Sequence, residues 1–283
     1  MSQQGASRVG SAIYSYPHAK SSSAIEASRI RYLIVSDGRT GSSLIAAILG
    51  AAGANLGMSH VENWDQLYGA HEFPEMARID RLLEQAQYLT ELSRKLPAVR
   101  HVARLWRSLA KRKVHRLMTK AVYLKISPYA APFIFKLGLT PRVIAVYRDF
   151  GDLARSKMLA HRMPWPAIAN RCLMTYRNAL ICIHTFGGCA ISYEEMMDPG
   201  QSAWLDALAS CTGLPRQLLL DARARIVKPT TIRRTAPFRL DDRLDHLQED
   251  LRSLRGRYVT PSESYLETIA HPQAAPIREA AGD

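Results

Sequence analysis

Eight residues, Ser36-Asp37-Gly38-Arg39-Thr40-Gly41-Ser42-Ser43, stand between an apolar run and a helix-like run. Ahead of them Tyr32-Leu33-Ile34-Val35 has the pattern of a buried strand; behind them Leu44-Ile45-Ala46-Ala47-Ile48-Leu49 starts a helix. A strand, a tight loop and a helix N-terminus make an anion cradle. The first N–H groups of a helix have no intrahelical acceptor and can point at oxyanion oxygens. Gly38 and Gly41 let backbone approach the anion closely, Thr40, Ser42 and Ser43 add hydroxyl donors, and Arg39 adds a permanent charge. This is not the common ATP loop, which carries Lys directly after its second glycine. Ser42 holds that position here, and the cation has moved to Arg39. Taken alone, the segment is also compatible with a plain strand-to-helix turn rich in small residues.

A second segment has the same strand-then-helix form. Val143-Ile144-Ala145-Val146-Tyr147 is a strong buried-strand pattern, ending in Arg148-Asp149-Phe150-Gly151-Asp152 and running into a helix that carries Ser156. An Arg at a strand end can clamp phosphate bidentately, and a Ser on the next helix can face the same pocket. The plainer alternative is a surface Arg148 paired with Asp149 or Asp152.

Both segments resemble the PAPS-dependent sulfotransferases, where PAPS is 3′-phosphoadenosine 5′-phosphosulfate. That family has a 5′-phosphosulfate loop of Lys or Arg, Ser or Thr, Gly and two hydroxyl residues. It also has an Arg at a strand end and a Ser eight positions later, which hold the 3′-phosphate. Phe150 stands where the family usually has Pro. Three further segments are similar in chain order. Tyr123-Leu124-Lys125-Ile126-Ser127-Pro128 resembles the central strand, whose Lys lies near the sulfuryl group. Ile191-Ser192-Tyr193-Glu194-Glu195 resembles a strand end whose Tyr contacts adenine. Lys228-Pro229-Thr230-Thr231-Ile232-Arg233-Arg234 resembles a cationic loop that closes over the nucleotide. The likeness runs from about residue 31 to 235. It implies Gly38, Arg39, Thr40, Gly41, Ser42, Ser43, Arg148, Ser156, Tyr193, Arg233 and Arg234 as donor-binding residues. Arg39 and Lys125 would also serve catalysis.

The acceptor proton needs a base. Ser127 occupies the region where many cytosolic members carry a His. Carbohydrate- and tyrosine-directed members use a Glu instead. Two fit: Glu72, in Gly69-Ala70-His71-Glu72-Phe73, and Glu62, in His60-Val61-Glu62-Asn63-Trp64, with Glu72 preferred. A role for either as a mere cap or ion-pair partner stays open. The implied activity is transfer of a sulfuryl group from PAPS to a hydroxyl or amine of a glycan, glycolipid or small molecule, without a metal.

Composition sets the frame. The chain has 283 residues, 47% of them apolar, enough for one large α/β domain. Its alternating elements, with strands near 31–36, 121–126, 142–147 and 189–193, predict a P-loop-like doubly wound parallel sheet flanked by helices. Arg39, Lys125, Arg148 and Tyr193 then fall at or just beyond strand ends, where ligands of such sheets bind. The division expected is a flexible segment over 1–28, the α/β domain over 29–260, and a loosely ordered tail over 261–283. Four cysteines, Cys172, Cys182, Cys189 and Cys211, lack metal-ligand spacing and predict reduced core thiols. With no secretory leader or membrane-spanning stretch in view, the expectation is a cytoplasmic protein that can associate with membranes.

The net charge of +13 is uneven. Residues 94–120 hold ten Lys or Arg and no Asp or Glu, with Leu96, Val99, Val102, Trp106, Leu109, Leu117 and Met118 at roughly helical spacing. With the stripe Ile79, Leu82, Leu83, Ala86 and Leu89 before it, this predicts a basic helical insertion over about 75–120. An acidic acceptor, an anionic membrane surface or nucleic acid would each suit the basic helix, the last ranked behind the other two. A solvated face is the plain alternative. His161-Arg162-Met163-Pro164-Trp165-Pro166 interrupts the helix after Ser156, as an acceptor-side lid with Trp165 as a stacking ring or as an ordinary helix junction. Two rival functions remain: a P-loop-type metabolite kinase with Arg39 replacing Lys, and a non-catalytic basic module binding membrane or nucleic acid.

Overall fold

The computed structural model describes residues 32–36, 38–54, 74–93, 96–118, 123–126, 141–227 and 242–262. Strand β1 (Tyr32–Val35) leads through the glycine loop into helix α1 (Ser42–Ala51). Helices α2 (Pro74–Leu92) and α3 (Val99–Met118) come next and pack together. Strands β2 (Tyr123–Ile126) and β3 (Arg142–Tyr147) follow, then helices α4 (Phe150–His161) and α5 (Trp165–Phe186). The chain continues with β4 (Gly188–Ser192), α6 (Tyr193–Met197), α7 (Ala203–Thr212), α8 (Arg216–Ile226) and α9 (Asp242–Ser253).

The four strands form one parallel sheet in the order β2-β1-β3-β4. Its strands are near-continuous apolar runs because both faces are covered. Strand periodicity sends alternate residues to opposite cores. Leu33, Val35, Val143, Ala145, Tyr147 and Ala190 join one core with Phe150 and Leu153 of α4, Tyr176 and Ile183 of α5, and Leu244 and Leu251 of α9. Ile34, Ile144, Val146, Cys189 and Ile191 join the other with Ile45 and Ile48 of α1, Trp204 and Leu208 of α7, and Leu219 of α8. The fold is therefore α/β, a parallel sheet with helices on both faces. All four cysteines are buried and free.

Strand bounds differ little from expectation. Tyr193, expected at the end of a strand, is instead the first residue of α6. The basic helix begins at Val99, after a turn through Pro97 and Ala98, rather than at Arg94. Gly188 is dictated by closeness: a Cβ there would lie 2.0 Å from the carbonyl oxygen of Val143. Beyond α9 the chain returns to the free edge of β4, where Gly188 and Val259 exchange backbone hydrogen bonds of 3.0 and 2.7 Å. That cover blunts an exposed sheet edge.

Candidate active site

Parallel strands deliver their carboxyl ends to one edge of the sheet. The strand order reverses at the β1/β3 pair, where connections leave in opposite directions, the place at which open α/β sheets bind ligands. The glycine loop follows β1 and Arg148 follows β3 at this place.

The loop owes its shape to three left-handed residues, Gly38 (φ 37°), Arg39 (φ 66°) and Gly41 (φ 94°). For a non-glycine residue such as Arg39 this backbone is unusual and costs about 1–3 kcal/mol. Neighbouring residues hold it there. The Arg39 Nε donates to Ser156 Oγ of α4 at 3.1 Å, so the loop cation is tied to the helix that follows β3. The Lys125 Nζ, from β2, donates to Ser43 Oγ in the first turn of α1 at 3.2 Å. Gly41 lies against Tyr193: an added Cβ would meet the Tyr193 Cδ2 at 2.5 Å and the Met196 Cε at 3.0 Å. Thr40, Ser42 and Ser43 are all buried, and the Thr40 hydroxyl has no hydrogen-bond partner among the described residues.

Arg148 is placed by its neighbours rather than by chance. Its guanidinium carbon sits 4.6 Å from the centroid of the Tyr193 ring, a cation–π contact. Glu194 lies beside it, at 4.0 Å from Nε to Oε1, and the buried Nε makes no hydrogen bond among the described residues. At that separation the pair attracts without bonding. Of the two partners in the plainer alternative for Arg148, Asp149 is otherwise engaged. Its Oδ1 accepts from the Gly151 N–H at 3.0 Å, capping α4, and its Oδ2 accepts from Gln248 (3.1 Å) and Arg252 (3.2 Å) of α9. The Arg148 carbonyl accepts from the Tyr176 hydroxyl at 2.7 Å.

Glu194 organises this corner. Its Oε1 accepts from the Asp149 N–H at 3.1 Å and its Oε2 from Ser192 Oγ at 2.6 Å. Behind it, Glu195 pairs with Arg255 at 3.2 Å, and Arg255 donates to the Tyr147 hydroxyl at 3.0 Å. Burial pushes the Tyr147 phenol up to about 12 and raises the Glu195 carboxyl, which Arg255 partly offsets.

The contacts close into a ring: Arg148 to Tyr193, Tyr193 to Gly41, Arg39 to Ser156, and Ser156 along α4 back to Asp149 and Arg148. Gly38, Arg39, Thr40, Gly41, Ser42, Ser43, Lys125, Arg148, Ser156 and Tyr193 thus belong to one neighbourhood. Glu62, Glu72, Arg233 and Arg234 lie outside the described residues. Trp165, considered as an acceptor-stacking ring, meets Phe150 edge to face, with centroids 5.0 Å apart. Among the described residues no group of three or more His, Cys, Asp or Glu is arranged to hold a metal ion. The sequence signalled Glu194 only as a neighbour of Tyr193. Gln248 and Arg252 carried no local signal, since they meet Asp149 across about a hundred residues of chain.

Comparison with models of protein families, with curated proteins and with solved structures finds no match to this chain.

Proposed function

We propose that the chain is a PAPS-dependent sulfotransferase built on a P-loop-like fold. The observation that carries this is the hydrogen bond from Arg39 to Ser156, in the same corner as Arg148. It joins the loop suited to a 5′-phosphosulfate with the strand-end Arg and helix Ser suited to a 3′-phosphate. One nucleotide with anions at both ends would span them. Tyr193, already stacked under Arg148, offers a face to the adenine.

The reaction is an in-line displacement at sulfur. The acceptor oxygen, or the nitrogen of an amine, forms a new bond to sulfur, the S–O bond to the 5′-phosphate breaks, and adenosine 3′,5′-bisphosphate leaves. Glu72, or in its place Glu62, takes the acceptor proton. Positioning and charge stabilisation supply most of the catalysis in the related phosphoryl transfers. Arg39 and the α1 N-terminus neutralise the leaving phosphate, and Lys125 faces the oxygens in flight. Each such donor is worth roughly 100- to 1000-fold in rate. The acceptor class is a hydroxyl or amine of a glycan, glycolipid or small molecule.

Calorimetric titration with adenosine 3′,5′-bisphosphate, against AMP and ATP and without Mg²⁺, tests this. Binding should require the 3′-phosphate. Arg148→Ala should weaken it by roughly 10- to 150-fold, the range for a charge-assisted contact of about 1.5–3 kcal/mol. No preference over AMP would overturn the reading.

A further inference from the structure

Helix α3 has two apolar faces, and α2 covers only one. Ala103, Ala110 and Val114 are buried in the contact with α2, whose Ile79, Leu83 and Ala86 are buried in turn. Small residues on α3 allow that close approach. Val102, Leu105 and Leu109 point elsewhere and are 44%, 56% and 36% exposed. At about 100° per residue they fall within about 60° of one another, so they form a single stripe. Continuing along the same sector, the stripe runs into Arg112 and Lys113, both exposed. From Val99 to Met118 the helix has seven Lys or Arg and no Asp or Glu.

We infer that α3 is a docking helix for an anionic lipid surface. Three neighbouring exposed aliphatic side chains form a patch that a solvated helix has no use for. A uniform field of cations beside that patch selects a negative partner. The exposed residues of the stripe are aliphatic and the half-buried Trp106 lies beside them, a mix that suits the boundary of acyl chains and headgroups; nucleic-acid bases would call for exposed aromatic stacking platforms. The helix would lie in the interface with Val102, Leu105 and Leu109 below the headgroups and its cations among the phosphates. No described helix is long and apolar enough to cross a membrane.

The test is sedimentation of the full chain with vesicles of phosphatidylcholine alone, or of phosphatidylcholine and phosphatidylglycerol in equal parts. Binding is expected only with phosphatidylglycerol and should weaken with added salt. R112Q/K113Q should lower it roughly thirtyfold, since each basic residue near such a surface contributes about fivefold. L105Q/L109Q keeps every charge and should lower it at least about tenfold. Equal binding to both vesicles, or none, would overturn the inference. So would L105Q/L109Q binding as well as the unaltered chain, or a homopolymeric RNA binding while vesicles do not. These side chains are exposed, and unchanged thermal unfolding verifies that both variants fold. Titration of the same samples with adenosine 3′,5′-bisphosphate reads the nucleotide site separately, because the lipid contact does not depend on the sulfotransferase proposal.

Discussion

Gly41 and Gly38 are two glycines in one loop with different reasons to be there. Gly41 has φ 94° and a Tyr193 ring where a Cβ would go, whereas an added Cβ at Gly38 meets nothing within 4 Å. Gly41→Ala therefore combines backbone strain with a clash against an anchored ring. It should cost about 2–4 kcal/mol by urea denaturation, and Gly38→Ala only about 1 kcal/mol. Equal costs would mean that the ring gives way freely. The glycine pattern was legible in the sequence because positive φ leaves few other choices. That Arg39 itself adopts φ 66° was not, since a left-handed Arg depends on the Ser156 contact that only folding supplies.

Helix α4 begins where β3 ends, and Asp149 makes the join. It caps the helix through Gly151 and ties α9 to the same spot through Gln248 and Arg252. Asp149→Ala removes both functions and should destabilise the protein by about 1–3 kcal/mol. Asp149→Asn, still able to cap, should cost less; chemical denaturation of the two variants side by side checks the order. The strands themselves were easy to foresee. Runs such as Val143–Tyr147 are apolar throughout, as a strand covered on both faces must be. The pairing of elements distant in the chain was not. Nothing near Asp149 announces Gln248, and nothing in the basic run from Arg94 shows which apolar residues α2 will cover.

Across the molecule, the sheet edge gathers the site and the helix layers carry the stability. His184, half-buried on α5, has its pKa lowered by burial, with Asp250 opposing the shift. The unfolded chain therefore binds more protons than the folded one between the depressed value and the ordinary 6.5. The stability this group contributes is complete above that ordinary value and is lost as the pH falls through the folded one. Glu195 acts with the opposite sign, but it is present in both proteins when His184→Gln is compared with the parent. Cooling of the melting temperature on acidification from about pH 7.5 to about pH 5.5 should be smaller in His184→Gln. An identical pH profile would show that His184 titrates alike in both states.

The sequestered sulfurs make the molecule its own reporter. Cys172, Cys182, Cys189 and Cys211 are distributed over α5, β4 and α7, and all four are inside. Desolvation pushes the Cys182 thiol far up, and the Cys211 neighbour does the same for Cys189. Only a thiolate reacts with an alkylating reagent. The native chain should thus stay silent to iodoacetamide, and each opening event should be written permanently as added mass. Because Cys172 and Cys182 stand in one helical layer, and Cys189 and Cys211 in or against the opposite core, the order of modification would tell which side of the sheet loosens first.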